Sequence, residues 1–188
     1  MKKIWGIGLV AAAALLLTVA YVAVSEDDDE GGVFSTMRDP RPDVAPVTNA
    51  LYAKECGACH FAYQPGLLPA DSWRRLMNNL SDHFGDNAEL APEVQRTITD
   101  YLAEHAADRA GERRSMTIMR SLRGEAPPLR ITEVPYIRRR HHELPSRLVR
   151  ENPRVMSLGN CSACHTRAKS GVYDEDTVNI PGFGRWDD

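Results

Sequence analysis

Cys56-Gly57-Ala58-Cys59-His60 and Cys161-Ser162-Ala163-Cys164-His165 are the two stretches on which the reading of this chain turns. Together they use all four cysteines, with the same two-residue gap in each, and each is followed at once by a histidine. That is the signature of c-type haem attachment. The chemistry sets the spacing: two thiols add to two vinyl groups on one porphyrin edge, so the sulfurs must stand about one helical turn apart. The adjoining imidazole is then offered to the iron from the proximal side. A thioredoxin-like redox site would need one Cys pair in a βαβ setting and no histidine. A four-cysteine zinc site usually has a gap far shorter than the 101 residues between Cys59 and Cys161. Two covalently bound haem c groups, each with its iron, are therefore expected.

Working outward, the aromatic content of 7% is modest for a core built from side chains alone. Two large flat macrocycles supply the missing apolar interior, so the chain without them is expected to be poorly ordered. The N-terminus is a separate matter. Met1-Lys2-Lys3 precedes an apolar run from Ile4 to Val24, then an acidic block from Glu26 to Glu30. A positive head and apolar stretch mark export. The run approaches the roughly 20 residues that span a bilayer, so residues 1–25 read as a signal peptide or an N-terminal membrane anchor, with the anchor favoured. The expected location is the periplasm, with residues 4–24 as the candidate tether. Residues 26–47, acidic and rich in proline, read as a linker.

The net charge of −3 is unevenly spread: Arg113 to Arg154 holds eleven Arg and four Glu. Basic stretches raise nucleic acid as a partner, which an exported chain rarely meets, and none is expected. Such a stretch suits the carboxylates of a bound cofactor, an acidic protein surface, or simply a solvated face.

Along the chain, a helix from Val47 delivers the first motif. Asp71-Ser72 opens a second, whose stripe Trp73, Leu76, Met77, Leu80, His83 and Phe84 predicts one continuous helix stopped by Gly85. A third begins near Pro92, with Val94, Ile98, Tyr101, Leu102 and His105 on one face. Glu112 to Leu122 reads as a short helix, Leu129 to Val134 alternates and reads as extended, and Pro135 opens a helix reaching His141-His142. A helical approach from Pro153 leads to the second motif, and the tail from Gly171 reads as a wrapping loop. No substantial sheet is expected.

If His60 and His165 are proximal ligands, two irons need two further ligands to act as pure carriers. The remaining candidates are His83, His105, His141 and His142, with Met77, Met116, Met119 and Met156 as thioether alternatives. A lone histidine on an apolar helix face is ordinarily a packed core residue, but with haem present the missing ligand raises its standing. His83 is favoured for the first iron, with His105 and Met77 as alternatives. For the second, His141 shares a face with Ile137 and Leu144, so it is favoured over His142.

The helix order over 47–110 resembles a small class I cytochrome c domain. More specifically, Glu55-Cys56-Gly57-Ala58-Cys59-His60, Pro65-Gly66-Leu67-Leu68-Pro69-Ala70, Asp82-His83-Phe84-Gly85, Pro128-Leu129-Arg130-Ile131-Thr132 and Asn160-Cys161-Ser162-Ala163-Cys164-His165 resemble the bacterial dihaem cytochrome c family. The resemblance covers roughly residues 50–182. It implies a mainly α chain: a class I-like haem domain over 48–111 and a smaller, loop-rich haem domain over 112–188. It also implies bis-histidine ligation at both irons, through His83 and His141. His105 does not match and is set lower. The expected role is a low-potential one-electron carrier rather than an enzyme. Its implied partners are a membrane b-type cytochrome as donor and a small monohaem c-type protein as acceptor. A dihaem peroxidase, the enzymatic rival, would need one open iron and acid–base groups beside it. A haem sensor that exchanges a ligand is the third reading.

Overall fold

Helix α1 (Ala50–Cys56) begins where Asn49 can cap it: the Asn49 side-chain oxygen accepts from the Tyr52 N–H at 2.9 Å. It ends on the first cysteine, leaving Cys59 and His60 in the turn that follows. The computed structural model describes residues 41–186, which lie within one compact unit. The run Ile4 to Val24, read as signal or anchor, lies outside the described residues. No described helix is long and apolar enough to cross a membrane.

Helix α2 (Ala70–Met77) follows Pro69, and the Asp108 carboxylate accepts from the Ala70 N–H at 2.7 Å. It packs against α3 (Pro92–Glu104), which proline opens and which buries Ile98, Tyr101 and Leu102. Helices α4 (Arg113–Ser121) and α5 (Pro135–Arg140) pack on each other. The four-residue α6 (Cys161–Cys164) carries the second cysteine pair. Strands β1 (Asn179–Ile180) and β2 (Gly184–Arg185) form an antiparallel pair in the tail, where a loop is expected from the sequence. The architecture is mainly α, as expected.

Three local expectations fail for identifiable reasons. The stripe from Trp73 to Phe84 is not one helix. Residues Asn78 and Asn79 end α2, Leu80–Asp82 makes a 3₁₀ turn, and Phe84 sits at φ 60°. Asn, Ser and Asp bond to nearby backbone and so favour turns over helix interiors. Residues Leu129 to Val134 find no partner strand among the described residues, and Ile131–Glu133 is a 3₁₀ turn. The approach from Pro153 is a series of turns with Met156 at φ 64°, not a helix. Asn152, Pro153, Gly159 and Asn160 leave too few consecutive helix formers.

Two apolar clusters result. The larger gathers Val44, Tyr52, Leu67, Trp73, Ile98, Leu102, Ile118 and Val134, so it reaches past residue 111 at one end and before residue 47 at the other. The smaller consists of Leu148, Val149, Val155 and Ile180 with partly buried neighbours. The chain enters the fold at Asp43 and Val44, whose N–H groups both donate to Gly171 O, at 2.8 and 3.2 Å. Gly171 has φ 73°, and a β-carbon there would strike the Val44 carbonyl, so this seam requires glycine.

Candidate functional site

The turn after α2 brings a histidine to the first motif. Asp82 accepts from the Gly85 N–H at 3.0 Å, the His83 N–H donates to Asp86 O at 2.7 Å, and the Ala88 N–H donates to Leu80 O at 2.8 Å. The Arg130 guanidinium lies 3.9 Å from the centre of the Phe84 ring, holding the turn from outside. The His83 and His60 rings face each other, centres 6.1 Å apart and planes 14° from parallel. His60 Nδ1 lies 2.8 Å from Phe61 O. A carbonyl can only accept, so that nitrogen carries the hydrogen and Nε2 keeps its lone pair.

The second motif is served by the end of α5. His141 closes that helix, and its Nδ1 lies 2.8 Å from Ile137 O, again leaving Nε2 with the lone pair. Its ring centre is 6.0 Å from that of His165, with planes at 70°. Cys161, Cys164, His165 and His141 line one cavity, whose apolar wall includes Leu148 and Ile180. Burial first, then His141 and Arg114, pushes the His165 imidazole down to about 4. Burial first, then His60, lowers His83 as well. Both are neutral imidazoles at pH 7, the form that binds metal.

The alternatives lie elsewhere. His142 is exposed, with Nδ1 2.7 Å from Arg139 O and Nε2 3.5 Å from Glu143. His105 caps α3 at the surface, its Nδ1 3.0 Å from Tyr101 O. Met77 is buried in the larger cluster and Met119 packs against it, while Met116 and Met156 are exposed.

Whether these residues suit a haem can be tested on the chain itself. His83 Nδ1 and His165 Nδ1 are buried without a hydrogen-bond partner, so neither ring is fixed through that nitrogen as those of His60 and His141 are. Two metal–imidazole bonds of about 2 Å each, with half the width of each ring added, span about 6 Å. Both histidine pairs have that separation. No disulfide joins the cysteines. Burial pushes the Cys56 and Cys161 thiols up to about 11 and raises Cys164 too. Among the described residues no cluster of His, Cys, Asp and Glu could hold a bare metal ion. The residues fit haem.

Sequence reasoning missed four residues around these sites. Asp43, read as linker, is only 5% exposed and pairs with Arg113 and Arg114 at 3.0 and 3.2 Å. Arg114 lines the second cavity and lies over the Tyr136 and Tyr173 rings. Tyr173 meets His165 edge-on at 5.2 Å, and Tyr63 stacks on His60 at 5.2 Å. Nothing in the local pattern singles these out, because each also bonds far along the chain: Asp43 to Arg114, Tyr63 to Gly159 and Tyr173 to Gln64.

The model of the family described as dihaem cytochrome c matches residues 52–173. The solved diheme cytochrome type c from Shewanella baltica is 49% identical, with a TM-score of 0.62 over 74% of this chain and 98% of that one. A diheme cytochrome c from Rhodobacter sphaeroides is 41% identical, with a TM-score of 0.59 over 69% of this chain and 100% of that one. No curated protein sequence matches at a significant level.

Proposed function

Since the chain belongs to the dihaem cytochrome c family, carries two covalently bound haem c groups and is an electron-transfer carrier, we propose that it is a periplasmic, low-potential one-electron carrier with bis-histidine ligation at both irons. Cys56 and Cys59 would tether the first haem, with His60 and His83 holding its iron. Cys161 and Cys164 would tether the second, with His165 and His141. The observation that carries this reading is the pairing itself: each motif histidine faces one histidine from elsewhere, at 6.1 and 6.0 Å between ring centres. When bound, haem iron cycles between ferric and ferrous and so accepts and releases single electrons.

The chain's own residues keep that exchange free of side chemistry. Phe61 O and Ile137 O fix the tautomers of His60 and His141, so each ligand is aimed before it binds. With two histidines holding each iron, no open position would be left for a small oxidant, the first requirement of peroxidase chemistry. Imidazole pairs favour ferric iron relative to a histidine–methionine pair, hence the low potential. The class I-like domain (48–111) and the second haem domain (112–188) each wrap one haem in this reading. Redox proteins are its partners; by the family resemblance, a membrane b-type cytochrome donates and a small monohaem c-type protein accepts. Export rests on residues 1–25, and mass analysis of the mature chain distinguishes a cleaved signal from a retained anchor.

Low-temperature EPR of the ferric protein tests the ligation. Two low-spin signals of different shape are expected, because near-parallel ligand planes split the iron d orbitals more rhombically than planes at 70°. A substantial high-spin signal would mean an open iron and would turn the reading toward catalysis.

A further inference from the structure

We propose that Arg114, a cation fixed in the wall of the second haem cavity, raises the reduction potential of the second haem, and that Asp43 partly cancels it. The proposal rests on the ligation above and assigns a role to two residues outside both attachment motifs. Arg114 lines the same cavity as Cys161, Cys164, His165 and His141. Its guanidinium lies 5.2 Å from the centre of the Tyr173 ring, and that ring meets His165 edge-on at 5.2 Å. One terminal nitrogen donates to the Tyr136 hydroxyl at 3.1 Å. The other donates to Asp43 Oδ2 at 3.2 Å and to Tyr173 O at 3.1 Å. Nε is buried without a hydrogen-bond partner. These contacts hold one positive charge in place beside a proximal ligand.

Reduction removes one unit of positive charge from a haem site, so a fixed cation nearby favours the ferrous state and a fixed anion the ferric. Such charges act strongly only where burial keeps water and salt from screening them. The Arg114 and Asp43 side chains, 13% and 6% exposed, meet that condition. Both fields reach the proximal ligand. Burial and then His141 lower the His165 pKa most; Arg114 lowers it further, and Asp43 opposes them. Other charges lining the cavity are screened. Arg140 pairs with Glu175 and Arg185 with Asp176, and each of these side chains is more than half exposed. At the first site the cation packed on the distal turn is Arg130, itself half exposed and paired with Glu133. The shielded cation therefore belongs to the second site and draws the electron toward it. A guanidinium keeps its proton inside a protein, so one electron arrives or leaves with no proton transfer at Arg114.

Spectroelectrochemical titration of four holoprotein variants tests this: Arg114→Met, Asp43→Asn, Arg114→Lys and Arg113→Ala. The step that His141→Met displaces is the second haem's. Haem content and EPR report on ligation separately, so a failed ligation reading and a failed role for Arg114 are told apart. At a fixed applied potential, R114M is expected to move the second haem's ferrous-to-ferric ratio about ten-fold toward ferric, which for one electron is about 59 mV. D43N is expected to move it about three-fold the other way, since Asp43 acts on His165 less than Arg114 does. R114K keeps the charge, and R113A removes a mostly exposed one, so both should stay within about two-fold of the unmodified protein. Opposite signs separate charge from packing, because a loosened cavity admits water in either variant and moves both the same way. Shifts of one sign in R114M and D43N, no shift in R114M, or an equal shift in R114K or R113A would each overturn the proposal. If R114M does not take up both haems, D43N decides: a rise in the second potential supports the proposal, and a fall or no change overturns it.

Discussion

Replacing His141 with methionine is expected to raise the midpoint potential of one haem by on the order of a hundred millivolts, a modest part of the roughly 0.8 V that axial ligands span. His142→Met is expected to leave both potentials in place. The two histidines are neighbours in sequence, yet their surroundings differ. His141 closes α5 with its Nδ1 held by Ile137 O and lines the cavity with Cys161, Cys164 and His165. His142 is exposed and turned to Arg139 O and Glu143. A thioether favours ferrous iron more than imidazole does, so the potential rises when the ligand changes. His141→Ala should instead leave that iron five-coordinate and high-spin, open to carbon monoxide, with the other haem untouched. Spectroelectrochemical titration resolves the two one-electron steps. A shift in the His142 variant and none in the His141 variant would reverse the assignment.

The haem motifs were legible because the chemistry is local: two thiols and an imidazole within five residues leave few other uses. The helices from Pro92 and Pro135 were legible for the same reason, since proline at the first turn and one apolar face are local signals. His83 came from a misread element. The stripe through Trp73 and Leu80 singled out a residue whose ring does face His60, but the side chain is delivered by a turn that Asn78, Asn79 and Asp82 impose, not by a longer helix. Periodicity counts apolar positions and is blind to side chains that compete for the backbone. Asp43, Tyr63 and Tyr173 were not legible, because their roles depend on partners far along the chain: Asp43 with Arg114, Tyr63 with Gly159, Tyr173 with Gln64. Such pairings are decided by the fold around both haems. A reading of separate helices cannot supply them.

Asp43→Asn is expected to destabilise the holoprotein by about 3 kcal/mol at pH 7, the cost of leaving a buried charge without its partner. The Arg114 side chain is 13% exposed and that of Asp43 6%. The carboxylate also accepts from the Tyr173 N–H at 2.9 Å, so it joins the entering chain, α4 and the wall of the second haem cavity. A loss of that size lowers the unfolding midpoint by about 10 °C in a domain of this length. Arg113 offers the contrast. It too bonds Asp43 at 3.0 Å, but its side chain is 79% exposed, and Arg113→Ala should cost less than about 1 kcal/mol. The pH dependence follows from the carboxyl itself. Burial alone would raise its pKa, yet the Tyr173 N–H and the two guanidinium groups hold it below the ordinary value of 3.8. Its stabilisation is therefore complete above about pH 4 and is lost as pH falls through the lower folded value. Thermal melts of the unmodified and D43N proteins should differ fully at pH 7 and converge below that range. Adding Arg114→Met to D43N removes the orphaned charge and should recover part of the loss. A double variant no more stable than D43N would show that the carboxylate acts through Tyr173 and the seam at Gly171 rather than through the ion pair.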